Sequence, residues 1–117
     1  MNRGQDGETP LELGVRLFNS GEFFLAHEAW EDWWRATTHP EKQTCQGIVQ
    51  IAVAMQHAST GNLVGAKSVM ERALRNLEGA ANVFGGLDLV QLRDDIRSVI
   101  RQLVSNEEIK PFQIVLK

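Results

Sequence analysis

Residues 21–35 read GEFFLAHEAWEDWWR, and residues 61–75 read GNLVGAKSVMERALR. With the glycines aligned, Gly21 matches Gly61, Ala26 matches Ala66, Glu31 matches Glu71 and Arg35 matches Arg75, an offset of 40 residues. A glycine followed by a periodic apolar run is the signature of a helix stop and restart. Each stretch therefore opens the second helix of a hairpin. At about 100° per residue, Phe23, Ala26, Trp30, Trp33 and Trp34 share one face of the first stretch, while Glu28, Asp32 and Arg35 lie opposite. In the second, Leu63, Ala66, Met70, Ala73, Leu74 and Leu77 make one stripe, and Lys67, Arg72, Arg75 and Glu78 lie mostly away from it.

The remaining helices follow outward from these two. Thr9, Pro10 and Glu12 supply an N-cap, a first-position proline and the acidic partner of a capping box, so a helix runs from there through Leu11, Leu13, Val15, Leu17 and Phe18 to Gly21. The helix that begins at Glu22 ends at Ala36, before the His39-Pro40 break. Glu41 to Ser59 reads as a third helix whose middle, GIVQIAVAM, is apolar on all sides except Gln50, which makes it the central one. After Gly85-Gly86, Asp88 caps a fifth helix with Leu89, Leu92, Ile96, Val99, Ile100 and Leu103 inward and Arg93, Arg97 and Arg101 outward. The ending KPFQIVLK is β-branched and aromatic, and reads as extended. It has no visible strand partner, so it is expected to lie over the bundle or over a neighbouring subunit.

The expected architecture is all-α, with five helices in antiparallel hairpins and an extended C-terminal arm. Residues 1–8 are expected to be a flexible N-terminal arm, 9–108 a single helical domain and 109–117 the C-terminal arm. The turn-and-helix pattern is similar to that of tetratricopeptide repeats, where a small alanine lets paired helices approach. A 40-residue spacing and only two units make this a local hairpin similarity.

The chain has 117 residues, 43% hydrophobic and 23% charged, with a net charge of -3. This is the composition of one globular domain. Scattered Lys and Arg leave no basic footprint for nucleic acid or an anionic membrane, so neither is an expected partner. Cys45 is the only cysteine, which rules out an internal disulfide and a Cys-based structural zinc site. It has no C-x-x-C partner and reads as an inert, partly buried thiol. The polar start MNRGQDGETP carries no apolar signal region, and a reducing cytoplasm is the expected compartment. A chain this small gains from covering apolar patches, so a homodimer is also expected.

The chemistry-bearing residues concentrate on the second and third helices. His27 and Glu31 stand one turn apart at the edge of the aromatic seam. Gln46, Gln50, Val53 and His57 share a stripe on the third helix. If the two stripes face each other, His27, Glu31, Gln50 and His57 meet in a pocket walled by Trp30 and Trp34. Buried polar groups must satisfy one another, and three readings account for such a cluster. It locks the register of the hairpins, Gln50 and His57 bonding to the second helix while Trp30 and Trp34 fill the core; it holds zinc or another divalent metal on His27, Glu31 and His57, with Glu28 as a base for hydrolysis; or it binds a small ligand or a protein partner between helices, indoles stacking on the flat part. HExxE at 27–31 matches only the first half of the metalloprotease HExxH. A binding or interaction module leads, and a metal-dependent hydrolase is the alternative.

FNSGEFFLAHEAWEDWWR (18–35) together with GIVQIAVAMQHASTGNLVGA (47–66) resembles the small prokaryotic family named domain of unknown function 309. The likeness covers about Leu17 to Leu77. It implies a compact all-helical fold and marks Phe18, Gly21, Phe24, His27, Glu28, Glu31, Trp34 and Arg35, then Gly47, Gln50, Ala52, His57, Gly61, Asn62, Gly65 and Ala66. Arg35 joins the expected ligand-binding set on this ground. Trp30 stands where the family pattern calls for an aliphatic residue. The resemblance implies a fold and a patch, and no reaction.

Overall fold

A computed structural model describes residues 7–116; Met1 to Asp6 of the expected N-terminal arm, and Lys117, lie outside the described residues. Among the described residues the helices are α1 (Pro10–Asn19), α2 (Phe23–Ala36), α3 (Lys42–Ser59), α4 (Leu63–Glu78) and α5 (Leu89–Val104). The chain is predominantly all-α, as expected. Thr9 closes the capping box at α1, its hydroxyl accepting from Glu12 N–H while the Glu12 carboxylate accepts from Thr9 N–H. Glu8, read as part of the loose arm, is held in place: both of its carboxylate oxygens accept from the Arg16 guanidinium, at 3.0 and 3.1 Å.

The two glycine turns have one geometry. Gly21 adopts φ +83° and Gly61 φ +84°, a left-handed conformation that glycine adopts without steric cost. Around the first, Gly21 N–H bonds to Phe18 O and Glu22 N–H to Leu17 O; around the second, Gly61 N–H bonds to Ala58 O and Asn62 N–H to His57 O. These are paired Schellman closures. They fold α2 back on α1 and α4 back on α3, and α3 packs against both α2 and α4. The central place expected of α3 is what its burial shows: Cys45, Gly47, Ile48, Ile51, Ala52, Ala54 and Met55 are all buried.

Trp30 is the largest fully buried side chain. Its ring stacks on Phe18 at 5.7 Å, and its indole N–H donates to Leu11 O at 3.1 Å. Gly14 on α1 makes room for it: a Cβ there would lie 2.6 Å from Trp30 Cε2. Trp30 therefore belongs to the α1–α2 core.

The segment after α4 departs from the expectation of an arm without a strand partner. Val83–Phe84 (β1) and Leu87–Asp88 (β2) pair as a minimal antiparallel hairpin, and Leu87 also forms an antiparallel bridge with Leu116. Gly85 and Gly86 both have positive φ, as a two-residue type I′ turn requires. The C-terminal arm lies on its own bundle. The Asn19 amide grips Ile114 twice, donating to its carbonyl and accepting from its N–H, both at 2.8 Å. Phe112 packs 5.3 Å from the Phe18 ring. The hairpin also reaches α2 through Phe84 and Trp33, 5.9 Å apart. No described helix is long and apolar enough to cross a membrane.

Candidate functional site

Helix periodicity splits the aromatic seam of α2 into two rows. Ala26 and Trp30 point into the core, while Phe24, His27, Glu31 and Arg35 form the adjoining row, spaced three, four and four residues apart. Groups at these intervals touch. The Phe24 and His27 ring centroids are 6.1 Å apart. His27 Nε2 lies 3.4 Å from a Glu31 carboxylate oxygen, and the Arg35 guanidinium lies 3.7 Å from the other. Arg35 also reaches Asp32 at 3.4 Å. The carboxylate thus stands between the imidazole and the guanidinium, within ion-pair distance of both.

On α3, the face toward this row carries Val53, Gln56 and His57. These three, with Phe24 and His27, line a half-open cleft of about 200 Å3. Val53 and Phe24 make its apolar walls, and Phe24 remains 56% exposed. His57 sits in the last turn of α3, where its Nδ1 lies 3.4 Å from the Asn62 amide nitrogen. The Asn62 amide is oriented by its second role, because its oxygen caps α4 by accepting from Gly65 N–H at 3.0 Å.

The structure brings together only part of the set read from the sequence. His27 and His57 share the cleft, with Glu31 behind His27. Gln50 turns away toward α4, where its carbonyl accepts from the Asn76 amide at 2.7 Å. That contact ties α3 to α4, whereas the register-lock reading expected Gln50 and His57 to bond to α2. The expected indole walls are replaced by Phe24 and Val53. Trp30 is committed to α1, and Trp34 lies beside the connection to α3 with Lys42 Nζ 4.2 Å from its ring centroid. The same ammonium donates to Trp34 O and Thr37 O at the end of α2, where a cation complements the exposed carbonyls. The Trp34 indole N–H is buried without a protein partner. Glu28 is exposed and does not line the cleft.

Among the described residues no three His, Cys, Asp or Glu side chains come together to hold a metal ion. His27, Glu31 and His57 therefore do not form the three-ligand centre considered from the sequence, because Glu31 lies along α2 behind His27, engaged with Arg35. Cys45 is fully buried. Burial pushes its thiol pKa up, which favours the unreactive protonated form.

Sequence reasoning passed over Phe24, Val53 and Gln56 as cleft residues. Phe24 carried a readable signal, a large aromatic immediately beside another on an amphipathic helix, where only one of the two can face the core. Val53 carried one too, its place on the stripe with His57, while Gln56 carried none, since a glutamine near a helix end is ordinary.

The sequence profile of the family described as "Domain of unknown function (DUF309)" matches residues 11–69, half of the chain, a span that contains every residue lining the cleft. An uncharacterized protein of Aquifex aeolicus (strain VF5) is 27% identical over 100 residues, covering 85% of this chain and 29% of that protein. The uncharacterized protein YpuF of Bacillus subtilis (strain 168) is 28% identical over 110 residues, covering 92% of this chain and 63% of its own length. The chain thus spans less than two thirds of the length of either relative. With the hairpins, the two glycine turns and the His27/His57 cleft all inside or adjoining the matched segment, the chain belongs to the DUF309 family.

Proposed function

We propose that the chain is a binding module whose site is the cleft between α2 and α3. The observation that carries this reading is the convergence of two imidazoles from different helices on one cleft, beside a phenyl ring that is 56% exposed. Apolar walls with a few polar groups are the usual make-up of a ligand site. Phe24 contributes little to the core, so its place at the cleft is better explained by something that covers it. The tie between α3 and α4 accounts for Gln50 and Asn76 but not for this exposed ring. Hydrolysis on a His27, Glu31 and His57 metal centre has no support from their placement.

The test is a fragment titration followed by NMR of the aromatic and methyl side chains. Bound fragments are expected to shift Phe24, His27, Val53 and His57 together. They should lose affinity at least tenfold in Val53→Phe, which fills the cleft, with circular dichroism confirming that the variant is still helical. If fragments bind elsewhere or shift none of these residues, the proposal fails. Sedimentation tests the separate expectation of a homodimer, which a monomer at high micromolar concentration would end.

A further inference from the structure

The surroundings of the cleft carry an excess of negative charge. From Glu22 to Ala36 the chain bears four carboxylates, on Glu22, Glu28, Glu31 and Asp32, against one guanidinium, that of Arg35, which is shared between Glu31 and Asp32. The other helix of the cleft adds no cation beside it. From Thr44 to Ser59, α3 bears no Asp, Glu, Lys or Arg, and Lys42 at its far end is bound to Trp34 O and Thr37 O. On α4 the first cation, Lys67, is paired with Glu71. Among the described residues the Glu22 and Glu28 carboxylates have no hydrogen-bond or ion-pair partner.

Helix periodicity puts one of these carboxylates next to the exposed ring. At about 100° per residue, His27 lies roughly 60° to one side of Phe24 around α2 and Glu28 roughly 40° to the other. Phe24 therefore stands between an imidazole that lines the cleft and a carboxylate on its open side. Unpaired charge of one sign favours a counter-ion. Phe24, 56% exposed, attracts the same sign, because the face of an aromatic ring is its negative part. An anion would be disfavoured on both counts. Size limits the rest of the ligand. An apolar cavity of about 150 Å3 holds a benzene ring, so a cleft of about 200 Å3 takes one ring or a short alkyl stem.

We infer that the cleft recognises an organic cation, an ammonium or guanidinium carried on an apolar body no larger than one ring. The body packs on Phe24 and Val53, and the cation lies over the exposed face of Phe24 on the side of the Glu28 carboxylate. A free arylalkylamine and a lysine or arginine side chain of a protein both present this chemistry. The assignment rests on the reading of the cleft as a binding site.

The probes share a phenyl body and differ in charge: 2-phenylethylammonium, 2-phenylethanol and 3-phenylpropanoate. Binding is read from the NMR shifts of Phe24, His27, Val53 and His57, at a mildly alkaline pH where ordinary imidazole is neutral. The expected order is cation, alcohol, carboxylate, with the cation at least about fivefold tighter than the alcohol, the combined effect of an exposed ion pair and a cation–π contact. Salt at about 1 M should remove most of that preference, because exposed pairs are screened. In Glu28→Gln, a change at an exposed position, the preference should fall at least about twofold while 2-phenylethanol binds as before. Phe24→Leu, which keeps an apolar wall, should lower it as well. The peptide acetyl-Ala-Lys-Ala-amide separates the two sources: binding within about threefold of the free amine assigns the cation to a protein partner, and weaker binding assigns it to a free amine. Alcohol or carboxylate bound in the cleft as tightly as the cation, or an unchanged preference in Glu28→Gln, overturns the ligand class and leaves the binding site standing. If no probe moves any cleft residue, the binding-site reading and the ligand class fall together.

Discussion

The two helical hairpins share a turn and differ in how their helices meet. In the first, Gly14 on α1 receives the whole indole of Trp30 from α2; in the second, Gly47 on α3 receives Leu77 and Asn76 from α4. Gly14 stands seven residues before its turn glycine and Gly47 fourteen before its own, and Trp30 and Leu77 stand nine and sixteen after theirs. The same device is therefore used two helical turns farther from the loop in the second hairpin. Identical turns do not impose one packing. They fix the direction of return, and the position of the glycine then decides where the helices approach.

The largest effect expected from breaking this comparison is at Gly14. Gly14→Ala drives a Cβ into the buried Trp30 ring, which has no free space to move into, and should cost about 3 kcal/mol, near the top of the range for overpacking. Urea denaturation monitored by tryptophan fluorescence checks it. Gly47→Ala is the sharper comparison. Its Cβ would sit 3.0 Å from Leu77 Cδ2 and 3.1 Å from Asn76 Cβ, a tight fit partly offset by the roughly 1 kcal/mol that alanine gains over glycine inside a helix. A net loss of about 1 kcal/mol is expected, and a loss equal to that of Gly14→Ala would show that the two contacts are equally rigid. Gln50→Ala, which leaves the Asn76 amide without its partner at a half-buried position, should also cost about 1 kcal/mol.

Smaller changes probe the turns. Asn62 caps α4 with its side chain, whereas Glu22 at the equivalent place gives α2 no side-chain cap. Glu22→Asn should therefore stabilise by about 0.5–1 kcal/mol, readable as a rise in the thermal midpoint. His27→Ala should be nearly neutral, because the side chain is 25% exposed and its partner Glu31 keeps Arg35. A loss above about 2 kcal/mol would assign His27 to the core and remove it from the proposed site.

The parts of this fold that were legible in the sequence are those set by one residue type at one place. The Thr9/Glu12 box, the Gly21 and Gly61 turns, the Asp88 cap and the central α3 all follow from local rules. The hairpin at 83–88 was missed because its strands are two residues each, too short to show alternation, although a Gly-Gly pair between apolar residues is itself a turn signal. The site was half legible. His27, Glu31 and His57 stood out as polar groups on apolar helices, but Trp30 and Trp34 were placed in the cleft because four large side chains on α2, Phe23, Trp30, Trp33 and Trp34, were treated as one face. An arc that wide serves more than one neighbour. Gly14, in the middle of α1, was the clue that one neighbour needed room for an indole.

The grip of Asn19 on Ile114, across 95 residues of sequence, changes what kind of object the bundle is. Helices packed each against the next form an open stack, and open stacks fray inward from their two outermost members. Here the arm and the small hairpin join the first helix to the last segment, so the stack becomes a ring with no outermost member. Amide hydrogen exchange should then report one cooperative opening shared by α1 and α5, where an open row of helices would give a gradient of protection from its ends to its middle.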